Sequence, residues 1–366
     1  MPKKRKTEWT PDGAGSEFTT EVMPGIEDIK SSSDKKRKKA ELSVDDYVDG
    51  VLSGNRTLLA RAITLVESNS LKHIATAQEV LKKLLPATGN SLRIGITGSP
   101  GVGKSTFIEA LGSSLCEEGH KVAVLAIDPS SQKTRGSVLG DKTRMEDLSR
   151  YKNAFIRPSP SGGTLGGVAR KTRESILICE ATGFDVIMIE TVGVGQSEVT
   201  VRSMVDFFLL MILPGGGDEL QGIKKGVMEL ADAIVINKSD GDNLTTAKVT
   251  KQEYEQAVHY IQPSTPGWFT KVFLASAINK TGIDEIWDEV KAFEAKLKEL
   301  GGFEDRRKKQ TLEWMYSMIE EGLKNEFYQS KKISETLSEI ENKILTAALT
   351  PTKAADQLLK SFFGNK

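Results

Sequence analysis

The stretch Gly98-Ser99-Pro100-Gly101-Val102-Gly103-Lys104-Ser105 decides the fold. It fits the pattern GxxxxGK(S/T) with no position missing. It follows an apolar run, Leu92–Thr97, and opens a helical pattern near Lys104. Strand, glycine-rich loop, helix is the context in which this pattern binds phosphate. Its glycines let backbone N–H groups point at phosphate oxygens without a Cβ in the way. Lys104 is expected to neutralise the β and γ phosphates. The Ser105 hydroxyl is expected to ligate Mg²⁺, and the helix N-terminus adds its dipole. The candidate phosphate set is Gly98, Ser99, Pro100, Gly101, Val102, Gly103, Lys104, Ser105 and Thr106.

Short apolar runs recur on both sides of this loop. They are Leu92–Thr97, Val122–Ile127, Val186–Ile189, Phe207–Leu213, Ala233–Asn237 and Val272–Ala275. Each is nearly continuous rather than alternating, the mark of strands buried on both faces of a parallel sheet. The segments between them supply right-handed helical crossovers. The expected fold is an α/β P-loop NTPase with a mostly parallel sheet flanked by helices.

Ligands of such sheets bind beyond the carboxyl ends of the strands. Asp128 ends the second run, and Asp141 follows in Gly140-Asp141-Lys142-Thr143-Arg144. Both are expected to reach Mg²⁺ directly or through its waters; a helix N-cap or a surface acid is the plainer alternative for each. Glu190 ends the run Val186–Ile189, where most P-loop proteins place Asp. One methylene longer, it can meet the metal through water or position the attacking water. Gln196 and Glu198 are weaker candidates for that orienting task. The catalytic set is therefore Lys104, Asp128, Asp141 and Glu190, and the metal set Ser105, Asp128, Asp141 and Glu190.

Asn237-Lys238-Ser239-Asp240 follows the run at Ala233 and has the NKxD form of guanine-binding loops. The Asp240 carboxylate offers two acceptors to the N1–H and N2–H₂ donors of guanine, and adenine has no such pair. Lys238 lays its alkyl stem over the base and Asn237 braces the loop. Ser276-Ala277, with Ile278 beside them, can offer a backbone N–H to guanine O6. Four letters alone would be weak; their order after a complete phosphate loop, each at a strand end, gives GTP/GDP as the ligand.

Outside this core the chain changes character. Residues 1–40 carry two basic runs, Lys3-Lys4-Arg5-Lys6 and Lys35-Lys36-Arg37-Lys38-Lys39, and few aliphatic residues. Such a composition cannot bury enough surface to order itself. It reads as a solvated basic tail or an expression-vector remnant, and its seven acids argue against a mitochondrial transit peptide. Residues 41–90 read as an N-terminal helical extension, 91–300 as the nucleotide domain, and 301–366 as a C-terminal helical extension. Leu312, Met315, Ile319 and Leu323 form one stripe of that extension, and Ile333, Leu337, Ile340 and Ile344 another. These stripes should fold back on the core or pair with a second subunit.

Composition excludes several classes. Fifty Lys and Arg balance fifty Asp and Glu in 366 residues, which argues against a chain built as a whole to coat nucleic acid or an acidic membrane. No apolar run approaches the roughly 18 residues of a membrane span. Cys116 and Cys179 form no CxxC pair and read as reduced cytosolic thiols, giving a cytoplasmic location.

Taken together these residues resemble the MeaB/ArgK family of P-loop GTPases, relatives of the methylmalonic aciduria type A protein. The resemblance rests on Gly54-Asn55-Arg56, Leu59 to Glu67, Asp128-Pro129-Ser130-Ser131, Gly140 to Met145, Glu190 to Glu198, and Pro214 to Gly226. It spans roughly residues 42 to 345. It implies a SIMIBI-type fold, a slow GTPase, homodimers with helical extensions, and a chaperone of an adenosylcobalamin-dependent acyl-CoA mutase, usually methylmalonyl-CoA mutase. Such a chaperone gates cofactor loading and protects the mutase. The Glu at 190 is itself a feature of this class. Pro214 to Gly226, with three successive glycines and the charges Asp218, Glu219, Lys224 and Lys225, looks like a nucleotide-sensitive switch; a flexible solvated loop is the alternative.

An older label for the family, a kinase serving lysine/arginine/ornithine transport, is the competing reading. No catalytic loop of the HRD type supports it. Nickel-inserting P-loop proteins need Cys/His clusters, and here only His73, His120 and His259 occur, far apart. No arginine finger is identifiable in the core motifs; Arg135 and Arg144 are the nearest, so intrinsic hydrolysis should be slow.

Overall fold

The computed structural model describes residues 42–128, 145–160, 165–191, 197–215 and 225–364. Asp141, Gln196, the side chain of Asp128 and residues 216–224 lie outside that set.

Seven described strands make one sheet: β1 (Leu92–Gly98), β2 (Val122–Asp128), β3 (Ala154–Pro160), β4 (Val186–Thr191), β5 (Phe207–Ile212), β6 (Ala233–Ile236) and β7 (Lys271–Leu274). Their order is β3-β2-β4-β1-β5-β6-β7, and every pairing is parallel. The phosphate-loop strand β1 is central, with Ile94 opposite Met188 on one side and Phe207 on the other. Six strands coincide with the apolar runs within a residue or two. The seventh, β3, was not among them. Its residues Ala154-Phe155-Ile156-Arg157-Pro158-Ser159-Pro160 mix prolines and an arginine into the run. An edge strand tolerates both, because one side has no ladder to complete.

Before the sheet come α1 (Val44–Leu52), α2 (Arg56–Glu67) and α3 (Leu71–Leu84). Ser43 caps α1 through a reciprocal box with Asp46, and Asn55 caps α2 at the N–H groups of Thr57 and Leu58. Around the sheet lie α4 (Lys104–Glu117), α5 (Glu146–Arg150), α6 (Leu165–Ala181), α7 (Ser197–Arg202), α8 (Lys225–Leu230), α9 (Leu244–His259) and α10 (Ile283–Glu299). After it come α11 (Gly302–Gln329), α12 (Lys331–Leu345) and α13 (Pro351–Phe363).

Each sheet face has its own core. On one, Ile94, Val124, Met188 and Phe207 meet Phe107 and Leu111 of α4 and Phe293 of α10. On the other, Leu125, Ile187, Ile189 and Phe208 meet Leu59, Ile63, Val80 and Leu84 of α2 and α3 with Ile176 of α6. The helices before the sheet thus share this face with α6 and α7. Gly95 lets α7 settle directly on β1. A Cβ there would stand 2.9 Å from Val201 Cγ1 and from Phe208 Cδ2.

The C-terminal helices divide differently. Ile333 of α12 is buried, and Phe327 stacks edge-on against Phe362 of α13 at 5.2 Å. Along α11, by contrast, Leu312, Met315, Ile319 and Leu323 are all exposed. The stripe does not fold back on the described core. Among the described residues nothing covers this stripe of the 28-residue helix.

α11 is fastened at its first turns by buried charge. Asp206 is fully buried and takes a two-point ion pair from Arg307, at 2.8 and 2.6 Å, plus the Arg93 N–H at 2.8 Å. Arg307 also donates to the carbonyls of Gly89 and Ser91. Nearby, Asp232 pairs with Arg202 at 3.1 Å, and Glu180 takes both Arg93 nitrogens at 2.8 and 3.0 Å. Burial pushes the Asp232 carboxyl up, against the lowering pull of Arg202 and Arg306.

Removing one partner of a buried pair strands the other's charge. Arg307→Ala should therefore cost about 3–5 kcal/mol in urea unfolding. The double variant Asp206→Asn/Arg307→Ala should lose less, because no charge is left uncompensated.

Candidate nucleotide site

The phosphate loop joins β1 to α4 with three glycines in the left-handed region: Gly98 at φ 150°, Gly101 at 82° and Gly103 at 95°. At Gly98 the constraint is contact as well as conformation. A Cβ there would lie 2.3 Å from the Met211 carbonyl oxygen of β5. At Gly103 it would lie 2.6 Å from Asn237 Nδ2.

Lys104 is buried at the first turn of α4. Its Nζ donates to the carbonyls of Gly98 at 2.7 Å and Ser99 at 3.1 Å. Burial holds its pKa below the usual lysine range, and the charges of Glu190 and Glu198 pull the other way. The Ser105 hydroxyl donates to Glu190 Oε1 at 2.9 Å. The structure therefore brings Lys104, Ser105 and Glu190 together across 85 residues of sequence. The Thr191 hydroxyl bonds that of Thr97 at 2.8 Å, which locks β4 to β1 just below.

Among the described residues no cluster of three His, Cys, Asp or Glu could hold a metal. A hydroxyl beside one carboxylate is still a donor set that suits Mg²⁺, which takes hard oxygens and keeps several of its waters. Asp128 ends β2 on the same side of the sheet; its side chain, and all of Asp141, lie outside the described residues.

The base loop is built on Asn237. Its side chain is buried, donates to the Val102 carbonyl at 2.8 Å and accepts the Ala277 N–H at 3.2 Å. One carboxamide thus ties the phosphate loop, the end of β6 and the loop after β7. Lys238 follows at φ 59°, a conformation rare without glycine, and its side chain is exposed. The Ser276 hydroxyl donates to Asp240 Oδ2 and itself accepts from the Asn279 N–H at 3.2 Å. Gly282 closes the loop at φ 74°, where a Cβ would strike the Leu274 carbonyl at 2.2 Å. Ile278 stands 78% exposed beside this loop, free to cover a flat ligand.

Fold and phosphate loop together define a P-loop nucleotide-binding protein. The comparisons with known proteins narrow the class. A family model described as "Methylmalonyl Co-A mutase-associated GTPase MeaB" matches residues 59–332. The chain belongs to this MeaB family of GTPases. It is 47% identical to GTPase ArgK of Escherichia coli, over 84% of this chain and 94% of that protein. It is 44% identical to the mitochondrial methylmalonic aciduria type A homolog of Mus musculus, over 91% of this chain and 83% of that one. A crystal structure described as an LAO/AO transport system kinase superposes with a TM-score of 0.72 and 39% identity, over 87% and 96% of the two chains.

Sequence reasoning gave Glu198 little weight, yet it is 6% exposed and close enough to act on the charge of Lys104. Only its place eight residues after Glu190 could have pointed there. Both cysteines are free and buried, and burial pushes Cys116 up to about 11.

Asp240→Asn tests the base site directly. An amide matches the C2 carbonyl of xanthine rather than the amino group of guanine. GTP affinity in a titration should fall by about 10–100-fold, the worth of a charged hydrogen bond, while xanthosine triphosphate gains. Unchanged GTP affinity would remove Asp240 from the site.

Proposed function

We propose that this GTPase is a chaperone of an adenosylcobalamin-dependent acyl-CoA mutase, with methylmalonyl-CoA mutase the first choice of client. GTP binding and hydrolysis gate cofactor loading and protect the mutase. The match to the mutase-associated GTPase family over residues 59–332 carries the reading. The mouse relative named for methylmalonic aciduria supports it from a second direction.

The residues divide the work as follows. Gly98 to Thr106 wrap the phosphates with backbone N–H groups, and Lys104 neutralises the β and γ oxygens. Ser105, Glu190, Asp128 and Asp141 would hold Mg²⁺ and its waters, and the ion would supply screening of the phosphate charge. Glu190 orients the water that attacks the γ-phosphorus as the bond to the β–γ bridging oxygen breaks. Asn237, Lys238, Asp240, Ser276, Ala277 and Ile278 select guanine. Hydrolysis is slow without a partner, because the core motifs hold no identifiable arginine finger.

Two chains pair through the C-terminal helices. The exposed stripe of Leu312, Met315, Ile319 and Leu323 on α11 supports this homodimer. No described helix is long and apolar enough to cross a membrane. We place the protein in the cytoplasm, with neither nucleic acid nor membrane as partner. Residues 1–40 remain a basic tail or an expression remnant, 41–90 and 301–366 the helical extensions of the 91–300 GTPase domain.

The likeness to a transport system kinase favours a second reading, an ATPase or kinase linked to lysine/arginine/ornithine transport. A pull-down separates the two. With GTP present, a cobalamin-dependent mutase should co-purify; recovery of a transport-binding protein alone would overturn the chaperone reading. Asp218→Ala and Lys224→Ala, in the proposed switch, should keep GTP binding yet lose mutase-stimulated hydrolysis.

A further inference from the structure

The sugar of a nucleotide lies between its base and its α-phosphate, because it is bonded to both. On this chain the residues that flank that space are Thr106, in the first turn of α4, and Ala277 and Ile278, in the loop after β7. All three line one open cleft of about 470 Å³. Glu109, Ser113 and Lys280 line it as well. The cleft therefore runs from the phosphate loop to the guanine loop, and its further polar groups are the ones a sugar would meet.

Glu109 is half-buried and stands three residues after Thr106, so the two share one face of α4. Its Oε1 accepts the Asp147 N–H of α5 at 2.8 Å. That bond anchors the carboxylate without using it up. Its second oxygen, Oε2, takes no hydrogen bond among the described residues. Arg150 lines the cleft too, but it is committed to Glu146 at 2.6 Å and Asp147 at 3.3 Å. One turn beyond Glu109, the buried Ser113 hydroxyl also lacks a hydrogen-bond partner. The wall from the β7 side is stiff. Ser276 and Thr281 exchange two backbone hydrogen bonds, at 3.0 and 3.1 Å, and between them Lys280 is held at φ 54°. The Lys280 ammonium makes no ion pair among the described residues.

We propose that Glu109 is a specificity-determining residue for the sugar: its free oxygen accepts from the ribose diol, so the site takes ribonucleotides in preference to their deoxy forms. An ionised carboxylate only accepts, so it pairs with an O–H and gains nothing from the C–H that replaces it in deoxyribose. Because Oε1 is already anchored on α5, little side-chain freedom is lost when the sugar arrives. A carboxylate alone in the cleft would oppose the phosphates. Lys280 on the facing wall and Lys104 in the phosphate loop supply the compensating charge. The selection lies in a hydroxyl rather than in shape, since an open cleft excludes neither sugar. This proposal rests on the reading of the phosphate and guanine loops as the nucleotide site, and adds the sugar to it.

The test titrates the full chain with GDP, 2′-deoxyGDP and 3′-deoxyGDP by calorimetry, so that hydrolysis does not intervene. Wild type should bind GDP about tenfold more tightly than at least one deoxy form, the lower end of what a hydrogen bond to a charged group is worth. In Glu109→Ala that ratio should shrink to within about twofold. Glu109→Gln can keep the Asp147 contact through its carbonyl oxygen but turns the free acceptor into an amide donor. Its ratio should fall to within about threefold, and it serves if Glu109→Ala folds poorly. A merely structural role for Glu109 would weaken all three nucleotides together and leave the ratio as it was. The wild-type ratio in both variants would overturn the proposal, as would a wild type that binds the three nucleotides equally. Failure of wild type to bind GDP at all would instead sink the nucleotide-site reading, and this proposal with it.

Discussion

The buried carboxamide of Asn237 is where the nucleotide site holds together. It meets the phosphate loop at Val102 and the guanine loop at Ala277 with one donor and one acceptor. No other residue type offers both at this length without a charge. The bond works only because Gly103 has no Cβ, which would stand 2.6 Å from the same amide nitrogen. A motif in one part of the sequence thus sets the residue allowed in another, 134 positions away. The spacing between the two loops is fixed before any ligand arrives, which lowers the ordering cost of binding.

The opposite ends of the strands are held by charge rather than by amides. Asp206, Asp232 and Glu180 are buried there and matched by Arg93, Arg202 and Arg307. Such pairs are weak evidence for stability, since well-packed apolar groups often do as well. Their geometry does something else. A two-point arginine–carboxylate pair admits one orientation, so α11 leaves the domain at a fixed angle. That angle aims the exposed stripe of Leu312, Met315, Ile319 and Leu323 away from its own core.

Much of this was legible in the sequence, for a physical reason. Strands buried on both faces must be apolar throughout, and loops that approach phosphate must be glycine. Both demands leave letters behind. β3 left none, because an edge strand can carry Arg157, Pro158 and Pro160 where a central one cannot. The buried grip of Arg306, Arg307 and Gln310 was equally silent. In the run Arg306-Arg307-Lys308-Lys309-Gln310 it looks like a solvated face. Only the fold reveals which of those residues point inward. The stripe on α11 was visible as a stripe, but periodicity cannot say what covers it.

Glu198 shows how the two kinds of information combine. By sequence it is one more acid after a glycine-rich turn. By structure it is a buried carboxylate with an unpaired oxygen, felt by the lysine of the phosphate loop. A protein selected only for stability would have little reason to keep it, because burying an unpaired carboxylate oxygen costs free energy. The same holds for Gln310 Oε1 and Trp314 Nε1 at the other end of α7. Local departures from a satisfied core are where function is expected to override packing. Here they fall on the helices meeting at α7, between the sheet that carries the phosphate loop and a helix that presents an apolar face.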